Sequence, residues 1–184
     1  CALKKTLWRE VSTNNKFYLV FAQGTCCDSF IDKRNGFNVK YPEEEFEYLK
    51  ELISYMRKNF KIDINRLYYA GYSNGAIFSS LVAQEFGSDV FAAISNTMGG
   101  FGKESKEVRQ YKSFKALPIY FITGDNDDYK ESCINAKDFF EKKGFPVKLE
   151  IIANKSHSYP RGKEVEIWDF FKNYKKILNQ FEEI

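Results

Sequence analysis

Ser73, Asp127 and His157 are the residues whose types and placement could do covalent chemistry. Ser73 lies in Gly71-Tyr72-Ser73-Asn74-Gly75, a Gly-x-Ser-x-Gly pentapeptide between the apolar run Leu67-Tyr68-Tyr69-Ala70 and a helix-like pattern from Ala76 onward. Strand, sharp turn and helix in that order put a serine on a strained elbow, its hydroxyl beyond the end of the strand. Gly71 and Gly75 would remove side chains where strand and helix meet. Taken alone, a serine in a glycine-rich turn is more often only a turn residue, so the discrimination must come from elsewhere. His157, the single histidine, follows an apolar run in Ala153-Asn154-Lys155-Ser156-His157-Ser158-Tyr159-Pro160, and Asp125, Asp127 and Asp128 follow the apolar run before it. The chain order is nucleophile, acid, base. In such a set the histidine takes the serine proton during attack on an acyl carbonyl, and a carboxylate holds the imidazole in the right tautomer. The backbone N–H of Asn74 would be one donor to the oxyanion.

The elements that must position these groups can be read from periodicity. Residues 3–11 predict a short helix, Asn14-Asn15 a turn, and residues 17–22 (Phe17-Tyr18-Leu19-Val20-Phe21-Ala22) a strand. The loop from Gln23 to Tyr41 is longer than a mere connection usually is. Pro42 opens a helix in which Phe46, Leu49, Ile53, Met56 and Phe60 recur at three- and four-residue spacing. After the elbow, Ala76 to Phe86 predicts a helix stopped by Gly87, and Val90 to Ser95 a strand. Ile119 to Thr123 is a further strand, 131–143 an amphipathic helix ended by Gly144, Val147 to Ala153 a fifth strand, and Lys163 to Phe181 a closing helix with Val165, Ile167, Trp168, Phe171, Tyr174 and Leu178 inward. Alternating strands and helices imply an α/β fold, a three-layer αβα sandwich around a mostly parallel sheet, with the carboxyl ends of all strands opening on one side. Ser73, the acidic turn and His157 all lie there.

The 184 residues and 43% hydrophobic content suffice for one sizeable core, and no Pro, Gly or Ser-rich stretch divides the chain, so a single domain over 1–184 is expected. The net charge of +3 is spread over mixed Lys and Glu rather than gathered in a run, which argues against a nucleic-acid partner. No apolar stretch reaches the length needed to span a bilayer, so no membrane partner is expected. Cys1 stands where an initiator Met would, implying an upstream segment removed or missing. Cys26, Cys27 and Cys133 lack metal-type spacing; a disulfide from Cys26 or Cys27 to Cys133 is possible, and sequence cannot choose it.

The run Ile62-Asp63-Ile64-Asn65-Arg66-Leu67-Tyr68-Tyr69-Ala70-Gly71-Tyr72-Ser73-Asn74-Gly75-Ala76, the Gln23-Gly24-Thr25 loop, Gly124-Asp125-Asn126-Asp127 and Ser156-His157-Ser158-Tyr159-Pro160 resemble the feruloyl and acetyl-xylan esterases and polyhydroxybutyrate depolymerases of the α/β-hydrolase superfamily. The resemblance covers nearly all of the chain. It implies Ser73 as nucleophile, Asp127 as acid and His157 as base, no metal or organic cofactor, an extracellular location, and an ester substrate, either a small molecule or acyl groups on plant cell-wall polysaccharide. Where the family often has His-Gly-x-x-Asp at the acid, Thr123 replaces that His. The family's His-Gly turn, whose backbone supplies the second oxyanion donor, has no counterpart, so the chain is expected to lack the first strands of the fold. Either an upstream segment is missing, or residues 17–22 have taken the empty place in the sheet and Gly24 and Thr25 offer the second donor. A groove bordered by the 23–41 loop, Met98 to Phe101 and Tyr159 would receive the substrate, with Tyr72 lining the acyl pocket. A depolymerase of polyhydroxyalkanoate, and a non-catalytic hydrolase-fold fragment or binding module, are the alternatives.

Overall fold

A computed structural model describes residues 6–24, 36–101 and 115–176. Four strands, β1 (Tyr68–Tyr72), β2 (Ala93–Thr97), β3 (Ile119–Asn126) and β4 (Val147–Ser156), form one sheet in the order β1-β2-β3-β4, every neighbouring pair parallel. Parallel neighbours need crossovers, and helices supply those from β1 to β2 and from β3 to β4. α1 (Trp8–Asn15) and α2 (Glu43–Asn59) precede β1. α3 (Asn74–Glu85) and the single turn α4 (Gly87–Val90) lead to β2, α5 (Lys130–Lys142) joins β3 to β4, and α6 (Lys163–Phe171) follows β4. Among the described residues no helix is long and apolar enough to cross a membrane.

The central strands β2 and β3 are buried on both faces, and β3 shows how. Ile119 and Phe121 enter one cluster with Phe46 and Leu49 of α2, Phe78, Leu81 and Val82 of α3, and Ala136 and Phe140 of α5. Tyr120 and Ile122 point the other way, into a second cluster with Trp8 and Val11 of α1 and Ile167 and Phe171 of α6. The two-residue period of a strand therefore divides one apolar run between two helical layers.

Several boundaries differ from expectation. Residues 17–22 are not a strand: the segment joins no ladder, and among the described residues β1 pairs only with β2. Phe17, Leu19 and Phe21 pack on the α1–α6 cluster, with the Phe17 ring stacked on Trp168 at 4.2 Å, while Tyr18 and Val20 face solvent. Alternation that reads as a half-buried strand is satisfied here by packing over a helix, so this segment has not filled a place beside β1. α1 begins later than expected and runs through Asn14 and Asn15, where the Asn15 amide donates to Val11 O and left-handed Lys16 closes the helix. β2 starts three residues late because Gly87, at φ +48°, turns the chain into α4, which takes Val90. Val165 is half-exposed rather than inward, and Leu178 lies outside the described residues. Cys133 is a fully buried free thiol, so the disulfide is not formed there; Cys26 and Cys27 lie outside the described residues.

Candidate active site

β1 ends at Tyr72, and Ser73 takes φ +54°, ψ −118°, a region costly for any side chain, before Asn74 begins α3. The elbow is held from both sides. Ser73 N–H donates to Thr97 O at the end of β2 (3.0 Å), and Ser73 O accepts from Ala76 and Ile77 (2.9 and 3.0 Å). Its closeness depends on Gly71, where a Cβ would stand 2.0 Å from Gly75 O. Gly75 itself is less constrained than the motif suggests, since a Cβ there would meet only a Phe37 ring carbon at 3.9 Å. The second tight point is Gly99, whose missing Cβ would lie 2.5 Å from Ala76 Cβ.

Asp127 sits in the turn between β3 and α5, with its side chain fully buried. Its Oδ1 accepts the backbone N–H of Tyr129 at 2.9 Å and meets His157 Nδ1 at 2.9 Å. Thr123, standing where a histidine was expected, brings its hydroxyl to 3.5 Å from Oδ2. An ionised carboxylate can only accept, so Nδ1 carries the proton and Nε2 is left as the acceptor. Ser73 Oγ lies 2.9 Å from that nitrogen. The structure thus joins Ser73, His157 and Asp127 in one hydrogen-bonded row; Asp125 and Asp128 take no part in it.

His157 reaches this place through an irregularity in β4. Gly124 pairs with Ile152, but Asn126 pairs with Ser156, so β4 spends four residues where β3 spends two. Lys155 O of the bulge lies over Gly124, where a Cβ would come within 1.9 Å. Asp125 fastens the bulge: backbone N–H groups of Asn154, then of Lys155 (3.1 Å to Oδ1), hold its carboxyl below the ordinary range. Sequence reasoning saw Asp125 only as an alternative acid.

Aromatic rings fix the imidazole. Tyr72 stacks on it (centroids 5.8 Å, 22°), Tyr129 approaches at 5.0 Å, and Tyr159 packs edge-on against Tyr72 at 5.2 Å. Burial, followed by the Asp127 charge, raises the Tyr72 phenol, while the Tyr159 backbone N–H donates to its oxygen and acts the other way. Tyr129 was not singled out in the sequence; its place two residues after the acid is the signal that was there. Of the expected groove residues, Tyr72 and Tyr159 are at the site. Met98 is a correction: at φ +55° it is wholly buried, its N–H bonded to Ile122 O (2.7 Å), and so cannot border an open groove. Phe101 is half-buried, with its ring on Phe139 and Phe140 of α5 at 5.1 and 5.8 Å.

Directly after Ser73, the Asn74 N–H belongs to the first turn of α3, whose amides lack intrahelical acceptors. The Asn74 side chain makes a two-point clamp: Oδ1 accepts Phe37 N–H (2.8 Å) and Nδ2 donates to Phe37 O (3.1 Å). Phe37 stacks on Phe78 of α3 at 4.4 Å, and Gly24 is buried so close to this segment that a Cβ would meet Gly36 O at 2.2 Å. Gly24 is therefore tied to the elbow through Gly36 and Phe37, whereas Thr25 lies outside the described residues. A separate open cleft of about 580 Å³, lined by Lys155, Tyr159, Arg161 and Lys163 among others, includes none of Ser73, Asp127 or His157 and is not the acyl site.

No protein-family model matches the chain. It is 29% identical, over 92% of its length and 64% of the relative's, to an uncharacterized hydrolase of Acanthamoeba polyphaga mimivirus. It is 28% identical, over 50% of its length, to poly(3-hydroxyalkanoate) depolymerase C of Paucimonas lemoignei, and 24% identical, over 67%, to a bifunctional acetylxylan esterase/xylanase of Neocallimastix patriciarum, covering 23% and 16% of those proteins. The chain thus spans less than two thirds of each of these three relatives. Among solved structures it resembles the fluorophosphonate-binding serine hydrolase FphF of Staphylococcus aureus (TM-score 0.67, 13% identity, 93% of this chain and 76% of that one). It also resembles a Bacillus cereus carboxylesterase (TM-score 0.63, 15% identity, 82% and 73%). The fold is the α/β-hydrolase fold.

Proposed function

We propose that the chain is a serine esterase that hydrolyses carboxylic esters through an acyl group carried on Ser73. The observation that carries this reading is the pair of 2.9 Å hydrogen bonds joining Ser73 to His157 and His157 to Asp127, with Ser73 on a positive-φ elbow. Nε2 of His157 takes the proton from Ser73 Oγ as the oxygen bonds to the acyl carbon. The imidazolium is stabilised by buried Asp127, and the Asn74 N–H faces the developing oxyanion. The imidazolium then protonates the departing alcohol, leaving the acyl group on Ser73. Water, deprotonated by the same nitrogen, attacks the acyl carbon; collapse returns the proton to Ser73 and releases the acid.

In this reading the substrate is an acetyl or feruloyl ester on plant cell-wall polysaccharide, Tyr72 and Tyr159 wall the acyl site, the Gly24 segment supplies the second oxyanion donor, and the enzyme acts outside the cell. The likeness to a poly(3-hydroxyalkanoate) depolymerase supports polyester cleavage as a second reading, with the same residues in the same roles. The test is hydrolysis of p-nitrophenyl acetate, methyl ferulate and a 3-hydroxybutyrate oligomer by the 184-residue chain, with Ser73→Ala and His157→Ala beside it. Activity abolished by both substitutions is expected. A folded chain inert toward all three esters overturns the reading in favour of a non-catalytic module.

A further inference from the structure

The turn carrying His157 is anchored by a carboxyl group well away from the row of three. Glu164, in the first turn of α6, is wholly buried. Burial of a charge is costly unless its oxygens are hydrogen-bonded. Here Oε1 accepts the Leu7 N–H and Oε2 the Gly162 N–H, each at 2.6 Å, and the Tyr159 phenol lies close enough for the Glu164 charge to add to burial in raising it. The positive end of the α6 dipole favours an anion at this place. One side chain therefore gathers the segment before α1, the start of α6 and the ring of Tyr159.

Tyr159 is in turn held at both ends. Trp8 and Glu164 both lie at its hydroxyl end, and its backbone N–H lies at the Tyr72 oxygen. Its ring abuts Tyr72, which stacks on the imidazole. Only four residues separate His157 from Gly162, so a shift at the Glu164 end reaches the histidine with little slack. We propose that Glu164 is a positioning residue for His157, acting through Tyr159 and Tyr72 to hold the imidazole between Asp127 and Ser73; this rests on the triad reading above. The chemistry is sensitive to such an anchor, because a misplacement of about 1 Å can cost about 10²-fold.

The test uses Glu164→Gln and, in case that variant fails to fold, Tyr159→Phe, which removes the hydroxyl and leaves both backbone bonds to Glu164. His157 is the only histidine, so its Nδ1–H proton resonance is unambiguous. The wild type should show a downfield, slowly exchanging Nδ1–H signal. In both variants that signal should broaden or shift upfield, and fluorophosphonate labelling of Ser73 should slow by about tenfold or more, at a temperature where every protein is fully folded. An unchanged resonance and labelling rate in a folded variant, with only a lower Tm, overturns the proposal and leaves Glu164 a stability element. A wild-type chain that takes no label sinks the esterase reading instead, and the resonance alone then decides whether Glu164 sets the imidazole.

Discussion

Replacing Asn74 by Ala isolates the clamp on Phe37, because the backbone N–H of residue 74 survives the change. The substitution removes two hydrogen bonds, at 2.8 and 3.1 Å, from a partly buried segment. At about 1 kcal/mol net for each, the docking of residues 36 and 37 on the elbow weakens by about 2 kcal/mol. That is about a 30-fold change in the docking equilibrium. If the Gly24 segment pressed against Gly36 carries the second oxyanion donor, kcat on p-nitrophenyl acetate should fall by about 30-fold, bounded by the 10²–10³-fold typical of losing such a donor. KM should stay nearly constant, since the lost interaction forms only in the transition state. Asn74→Asp should be worse, because it faces Phe37 O without a donor and sets a negative charge beside the oxyanion. Initial rates, with near-UV circular dichroism to verify packing, make the measurement. A kcat within about threefold of wild type for the folded Ala variant would refute the reasoning, because the docked segment would then contribute nothing to oxyanion binding.

Three other outcomes follow from the geometry. Gly71→Ala forces a Cβ to within 2.0 Å of Gly75 O and should lower Tm by several degrees, about 2–4 °C per kcal/mol lost, whereas Gly75→Ala, in open contact with Phe37, should leave Tm unchanged or raise it. Asp127→Asn should cut kcat by about 10⁴ with Ser73 still in place, since a neutral amide no longer stabilises the imidazolium, and an NH2 turned toward Nδ1 favours the wrong tautomer; steady-state kinetics at neutral pH will show it. Burial pushes the Cys133 thiol up to about 12, so it should resist iodoacetamide in the native protein and react on unfolding, as peptide mass mapping would reveal. Because this folded-state value lies above the unfolded one, the associated stability is present below about pH 9 and drains away toward pH 12, at about 1.4 kcal/mol per unit. Denaturant titrations of wild type and Cys133→Ala between pH 8 and 10.5 should differ in slope.

How far the chain could be read depended on whether the deciding contact was local. The strand after Pro118 was legible because Ile119 to Ile122 feed two helical layers from one short apolar run, and only a central strand needs that. The candidate row was legible because a single histidine and a glycine-flanked serine each follow a strand, and a parallel sheet brings such ends together. Residues 17–22 were misread since Phe17, Leu19 and Phe21 form an apolar face at strand spacing, and whether such a face lies on a sheet or over Trp168 is decided by distant partners. Met98 looked like a loop residue because its neighbours are glycines; its burial comes from Gly99 letting the turn settle onto Ala76. The roles of Asn74, Asp125 and Glu164 were out of reach for the same reason. Their hydrogen-bond partners lie 37, 30 and 157 residues away.

The bulge in β4 gives the delivery of His157 a parity. Its surplus over β3 is two residues, and an even surplus returns Ser156 to the same alternation of faces that an unbroken ladder would have given it. Loss of one residue from 153–155 would turn the imidazole to the opposite side of the strand, and loss of two would keep its side but abolish the turn that Asp125 fastens. Length changes here therefore act in discrete steps. A lineage can vary the exposed side chains of this stretch freely while its residue count stays frozen, so drift in composition without drift in length is the signature that selection on the base would leave.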